Sequence, residues 1–185
     1  MDWIISRKKY LPGQLASPDC SYFYSTGNDA SITTDRPAVI VDGYILPRLD
    51  CPDVFAGLKG EELVRTLIME EGEGFIHRLK GNFVLLVLRA GGFQIFNDIH
   101  GMGRFFFWES GDDFVISDSI DTVRAYANAA PDYENLALYC LAEHFLTDFT
   151  AFKGVKQSMP SSRFFFDGTL RRSSYWDPAS LFTSR

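Results

Sequence analysis

The residues of this chain that could carry chemistry are few and scattered. Three histidines, His77, His100 and His144, lie far apart in the sequence. His100 stands two residues after Asp98, and an Asp-x-His pair can orient an imidazole for proton transfer. The simpler reading is a turn residue with a solvated ring. Three cysteines, Cys20, Cys51 and Cys140, are odd in number and form no C-x-x-C pair. They indicate neither a zinc ribbon nor a disulfide framework. Glu70, Glu71 and Glu73 cluster at the end of an apolar-periodic segment. A metal site would need them to converge with further oxygen ligands, and a solvated helix end is the simpler assignment. Asp112-Asp113 reads as a turn, and Arg171-Arg172 as a solvated strand or a domain interface. No metal site and no cofactor are expected.

Elements that would position these residues follow from the apolar pattern. Trp3-Ile4-Ile5 opens a short strand. Residues 11 to 38 are rich in Pro, Gly, Ser, Asp and Thr and read as loops and edge strands. Ala38 to Val41 is a buried strand, with Asp42-Gly43 as the turn signal after it. Leu63, Val64, Leu67 and Ile68 recur at helical spacing, so Gly60 to Glu71 is a predicted helix and Gly72 its stop. Phe83 to Leu88 and Phe93 to Phe96 form a hairpin across Ala90-Gly91-Gly92. Arg104 to Glu109 and Phe114 to Ser117 form a second hairpin. Ile120 to Ala127 and Tyr133 to Phe145 are predicted helices, the latter capped by Asp132. Arg163 to Phe166 and Leu170 to Tyr175 make the last hairpin, across Asp167-Gly168.

Composition bounds the function. The chain has 185 residues with 18 Lys plus Arg against 24 Asp plus Glu, a net charge of -6. An acidic chain without a basic cluster is a poor partner for a phosphate backbone, so no nucleic acid is expected. No apolar run is long enough to cross a bilayer, and no apolar stretch follows the basic residues Arg7 to Lys9 as a secretory signal would require. A cytoplasmic location is the expectation. Seventeen Phe, many in consecutive runs, point to sheet packed on sheet. In the runs Phe105 to Trp108 and Phe164 to Phe166, period-2 geometry sends neighbours to opposite faces. Inner faces would fill the space between sheets and outer faces would lie under helices. The expected class is α+β.

Four stretches carry a resemblance. These are Val41-Asp42-Gly43-Tyr44-Ile45, Leu79 to Val84, Asn97 to Phe106 with Ile116-Ser117-Asp118, and the closing set Phe152 to Val155, Met159-Pro160 and Tyr175 to Pro178. Their order and spacing resemble the N-terminal glutaminase domain of asparagine synthetase, a class II glutamine amidotransferase domain with the N-terminal-nucleophile hydrolase fold. The closing segments resemble the branch that includes β-lactam synthetase and lasso-peptide cyclase. The resemblance covers residues 41–178 of a single domain 1–185 and leaves 1–40 shortened and divergent. It implies a four-layer αββα sandwich of two antiparallel sheets.

What the resemblance implies for chemistry is loss. Active members of that family expose a Cys as the first residue of the processed chain, with its own α-amine as base. Here Met1 is followed by Asp2, a poor nucleophile towards an amide. Cys20 as a hidden N-terminus would sacrifice the first strand and leave too little chain before Asp42. The family's oxyanion hole pairs an Asn side chain with a Gly amide. Gly43 remains, but Asp42 stands where the Asn would be, and an ionised carboxylate only accepts. Loss of one such donor costs about 10²–10³ in rate. Tyr44 replaces a Glu. The family's substrate-reading Asp falls near Gly60 or Glu61, and its carboxylate-gripping Arg lies in a shortened segment where only Arg36 is at hand.

The sequence therefore predicts no catalytic residue, and a vestigial pocket at Asp2, Asp42, Gly43, Tyr44 and Glu61. The expected function is a degenerate glutaminase-like domain. It would act as structural or interaction partner of an ATP-dependent asparagine-synthetase-like enzyme, fused or separately encoded, whose ATP-binding S-G-G-x-D-S loop this sequence lacks. The alternatives are an active amidohydrolase using other groups and an amino-acid-sensing module.

Overall fold

A computed structural model of the chain describes residues 3–19, 21–26, 37–52, 55, 57–145 and 147–179. Two antiparallel sheets lie face to face. The first holds β1 (Ile4–Ser6), β2 (Leu15–Ala16), β3 (Phe23–Ser25), β7 (Phe106–Ser110), β8 (Asp113–Ser117) and β9 (Lys156–Gln157), in the order β2-β3-β1-β8-β7-β9. The second holds β4 (Ala38–Pro47), β5 (Leu79–Arg89), β6 (Gly92–Asn97), β10 (Ser162–Phe166) and β11 (Leu170–Ser174), in the order β11-β10-β6-β5-β4. Helix α1 (Gly60–Glu71) covers the second sheet. Helix α2 (Ile120–Ala127) covers the first, and α3 (Tyr133–Ala142) follows it in the chain. The expected α+β class and layered αββα sandwich are present.

Strand alternation explains the layers. On β4, Ala38 and Ile40 face the opposite sheet, while Val39 and Ile45 face α1. Val84, Leu86 and Leu88 of β5 and Phe93 and Ile95 of β6 join the inner set. From the first sheet come Trp3, Ile5, Tyr24, Phe107, Phe114 and Ile116. The consecutive aromatics divide as their spacing requires. Phe105 and Phe107 are inner, and Phe106 and Trp108 lie under α2 with Val123 and Tyr126. Phe164 and Phe166 are inner too. Phe165 differs from expectation: its outer face meets the guanidinium groups of Arg163 and Arg171, at 5.7 and 5.4 Å, in place of a helix.

Helix α1 spans the predicted residues. Its stripe of Leu63, Val64 and Leu67 is fully buried, worth about 1.5–3 kcal/mol per side chain. Gly72 ends it with φ 59°, its N–H reaching the Ile68 carbonyl. Helix α2 also keeps its predicted span, capped by Ser119. Helix α3 starts where expected, with Asp132 accepting from the Asn135 N–H, but stops at Ala142 and not at Phe145. Glu143 takes a left-handed conformation, φ 60°, and returns its N–H to the Tyr139 carbonyl. A larger correction concerns Asp42-Gly43. It is not a turn, because β4 runs straight through it to Pro47 in continuous register with β5.

Candidate functional site

At one end of the sandwich the inner faces change character. Asp42 pairs with Val84, and Val84 with Asn97. Asp42 and Asn97 therefore extend the apolar inner rows by one step, and both are polar. Ser158 and Ser162 meet Asn97 from the segments beyond β9. Asn97 is fully buried and binds all round: its amide nitrogen donates to the carbonyls of Gly103 (3.2 Å) and Met159 (2.9 Å), and its Oδ1 accepts from the Ser162 N–H at 2.7 Å. The Tyr175 hydroxyl donates to the Asn97 carbonyl at 2.6 Å. Burial, with the nearby Asp98 charge, pushes the Tyr175 phenol well above its ordinary range.

Asp98 is the neighbouring anchor. Its buried carboxylate accepts from the backbone N–H groups of His100 (3.0 Å), Met102 (3.2 Å), Gly103 (2.7 Å) and Phe83 (3.4 Å). The Asp-x-His pair thus serves to fold a loop: Asp98 binds the His100 amide, and the His100 ring is exposed. Phe83 also gives its carbonyl to the Asp98 N–H. With both backbone groups turned to Asp98, Phe83 does not exchange a reciprocal hydrogen-bonded pair with Gly43, its partner in register.

Between this loop and β4 lies an open cleft of about 260 Å³, lined by Asp42, Gly43, Asn82, Phe83, Val84, Met102, Gly103 and Arg104. Two glycines shape it. A Cβ on Gly43 (φ 103°) would stand 2.2 Å from the Asn82 carbonyl oxygen, and one on Gly103 would stand 2.1 Å from that of Phe83. Only glycine allows the loop and the two strands to approach this closely. The half-buried Asp42 and the exposed Arg104 form no ion pair or side-chain hydrogen bond with any described residue. Among the described residues, the lining carries no hydroxyl, thiol, imidazole or amine. Its one carboxylate, Asp42, accepts hydrogen bonds when ionised and does not donate them.

The residues predicted for the pocket separate. Asp42 and Gly43 share the cleft. Tyr44, 55% exposed, follows on the strand opposite Asn82, outside the lining. Glu61 sits in the first turn of α1, 3.8 Å from Arg65, which donates in turn to the Pro37 carbonyl. Asp2, Cys20 and Arg36 lie outside the described residues. Next to Asp2, the Trp3 N–H reaches Asp118 at 3.1 Å and the Trp3 carbonyl accepts from Ser117, fixing the start of β1.

No family model and no curated protein matches this chain. Solved structures do resemble it in fold. One is glutamine phosphoribosylpyrophosphate amidotransferase from B. subtilis, complexed with ADP and GMP. It is 9% identical with a TM-score of 0.48, over 95% of this chain and 43% of that one. Another is the allosteric regulatory enzyme of purine biosynthesis, 11% identical with a TM-score of 0.44, over 82% of this chain and 30% of that one. The chain spans less than half the length of either.

Glu71, Glu73, Asp113, Arg171 and Arg172 have structural partners. Arg78 holds both Glu71 oxygens at 2.9 Å, and Arg163 holds Glu73 at 3.1 Å. Arg171 pairs with Asp167, and Arg172 pairs with Glu109 while its guanidinium lies 4.9 Å from the Phe107 ring centre. Asp113 is not the solvated turn residue that its sequence position suggests: it binds Lys8 at 2.6 Å and the Tyr126 hydroxyl at 2.7 Å. Burial works to raise its pKa, but these hydrogen bonds outweigh it and hold the carboxyl below the ordinary range. Asn97, Arg104 and Tyr175 lie in the family-like stretches but not among the residues predicted for the pocket; for Asn97 the available signal was Asn97-Asp98-x-x-Gly101-x-Gly103, a loop whose glycines and acceptors belong together.

Proposed function

We propose that this chain is a catalytically degenerate glutaminase-like domain, acting as structural or interaction partner of an ATP-dependent, amide-forming enzyme of the asparagine synthetase kind. The observation that carries the reading is the Asp42-Gly43 step. Its carboxylate faces a cleft without a nucleophile among the described residues, at the place where the resemblance calls for a neutral donor. The order of the family-like segments between Val41 and Pro178 supports the rest. An enzyme that no longer draws nitrogen from glutamine would keep such a domain for its surface and its stability.

The partner half of the reading is tested by reconstitution. The chain is added to a synthetase that lacks its own glutaminase half, and amide formation is followed with ATP and an amine or ammonia as nucleophile. The reading expects a rise in rate or in synthetase stability that is indifferent to glutamine. A rise that requires glutamine would overturn it.

The uncompensated pair Asp42 and Arg104 favours a second reading, an amino-acid-binding module without chemistry. Opposite charges on one cleft suit a zwitterion. Calorimetric titration with glutamine, glutamate and asparagine tests this: no heat for any of the three would remove it.

A further inference from the structure

Helix α3 is at odds with the rest of the molecule. None of its ten residues is buried, although Leu136, Ala137, Leu138, Tyr139, Cys140, Leu141 and Ala142 follow one another without a charge. Leu141 is 84% exposed, Tyr133 76%, and Leu138 and Tyr139 42% each. A helix that is apolar on every side is normally buried on every side. Ten residues alone are also too few to hold a helix in water.

Yet this helix is firmly presented. It leaves and re-enters the fold through a short neck, where the Asp132 N–H meets the Ala151 carbonyl at 2.8 Å and the Lys153 N–H meets the Ala130 carbonyl at 2.9 Å. Both ends are capped, and the return segment is pinned by Lys156 on Asp148 at 2.9 Å.

The charges say what covers it. Between Arg124 and Lys153 the sequence holds no Lys or Arg, and of its four acids Asp132 caps the helix and Asp148 is paired with Lys156, which leaves Glu134 and Glu143 at the two ends of α3 without a cation among the described residues. A second copy of α3 would bring like charges together, at a cost. A groove with an apolar floor and a basic rim would match both the leucines and the acids. We propose that α3 is a docking helix, seated in an apolar groove with a Lys- or Arg-bearing rim on a partner protein. The surface stands apart from the Asp42 cleft and does not depend on how glutamine is handled; only the identity of the partner rests on the function proposed above.

Cys140, free and exposed on α3, supplies the probe. N-ethylmaleimide is applied to the purified chain and to extract of the cells that make it, and alkylation of the Cys140 peptide is timed by mass spectrometry. In extract the rate should fall about tenfold or more. It should recover in ~1 M salt, where screening acts within about 3 Å. It should also recover with Leu141→Glu, whose exposed site leaves the fold intact by circular dichroism. Carbodiimide should join Glu134 or Glu143 to lysines of another protein. Equal alkylation in extract and buffer would overturn the proposal. So would protection that ignores salt, or protection of the purified chain that grows with its own concentration, the mark of self-association.

Discussion

Two aspartates one strand apart are used in opposite ways. Asp98 lies beneath the β6–β7 connection, with four backbone N–H groups directed at its carboxylate. Asp42 sits at the end of the inner face of β4 and points its carboxylate at a cleft, without a described partner. The first is bound up in holding the fold. The side chain of the second makes no hydrogen bond or ion pair with any described residue and lines the cleft instead. A residue bound into the architecture and a residue open to a cleft stand close together, so each can be changed separately.

The comparison is most easily broken at Asp98. Asp98→Ala would strand buried N–H groups and should cost about 3–5 kcal/mol in urea unfolding, since each unmet donor or lost charged hydrogen bond is worth roughly 1–3. A loss under about 1 kcal/mol would mean the loop does not depend on its carboxylate. Gly103→Ala comes next. The new methyl would lie 2.1 Å from the Phe83 carbonyl oxygen, and a forced shift there should cost about 1–3 kcal/mol. Tyr175→Phe removes one hydrogen bond to Asn97 and should cost about 1 kcal/mol at neutral pH.

Tyr175 also sharpens the picture at high pH. Its folded pKa is raised above the ordinary 10.0, so folding keeps the phenol protonated. That stabilisation is complete below the unfolded value and is lost as pH rises beyond it. The wild-type chain should weaken above that value, and Tyr175→Phe should flatten the alkaline limb. Asp113 works in the other direction. Its folded pKa lies below the ordinary 3.8, so its stabilisation is present above that value and fades as pH falls through the folded one. Asp113→Asn should flatten the acid limb. An unchanged alkaline limb would show that the Tyr175 phenol is not buried beside Asp98 in solution, and an unchanged acid limb that the Asp113 hydrogen bonds do not form there. The smallest effect belongs to Asp42→Asn, which should leave stability within about 0.5 kcal/mol, as for surface positions without partners.

Much of this was legible in the sequence wherever the signal was local. Helix α1 announces itself through its apolar spacing and the Gly72 stop, and α2 keeps the span read for it. The hairpins follow from their turns, and the aromatic runs divide by period two. What was not legible depended on distant backbone. Asp42-Gly43 looks like a turn, and only its pairing with Val84 and Phe83 keeps β4 extended through it. The end of α3 was hidden because Glu143 takes the left-handed position that glycine usually marks. The turn around Asp98 and the solvated His100 ring were legible, but the amides that Asp98 binds were not, because a sequence does not show which backbone groups a carboxylate meets. Likewise Arg104 and Asp42 are 62 positions apart in number, and only the fold brings them to one cleft.

The central claim is that the fold stands while amide hydrolysis is gone, and ammonia release from L-glutamine by the purified chain tests it most directly. The account predicts release indistinguishable from buffer, for the wild type and for Asp42→Asn alike, with both proteins folded. Steady release by the wild type that falls with Asp42→Asn or Asp2→Ala would contradict it.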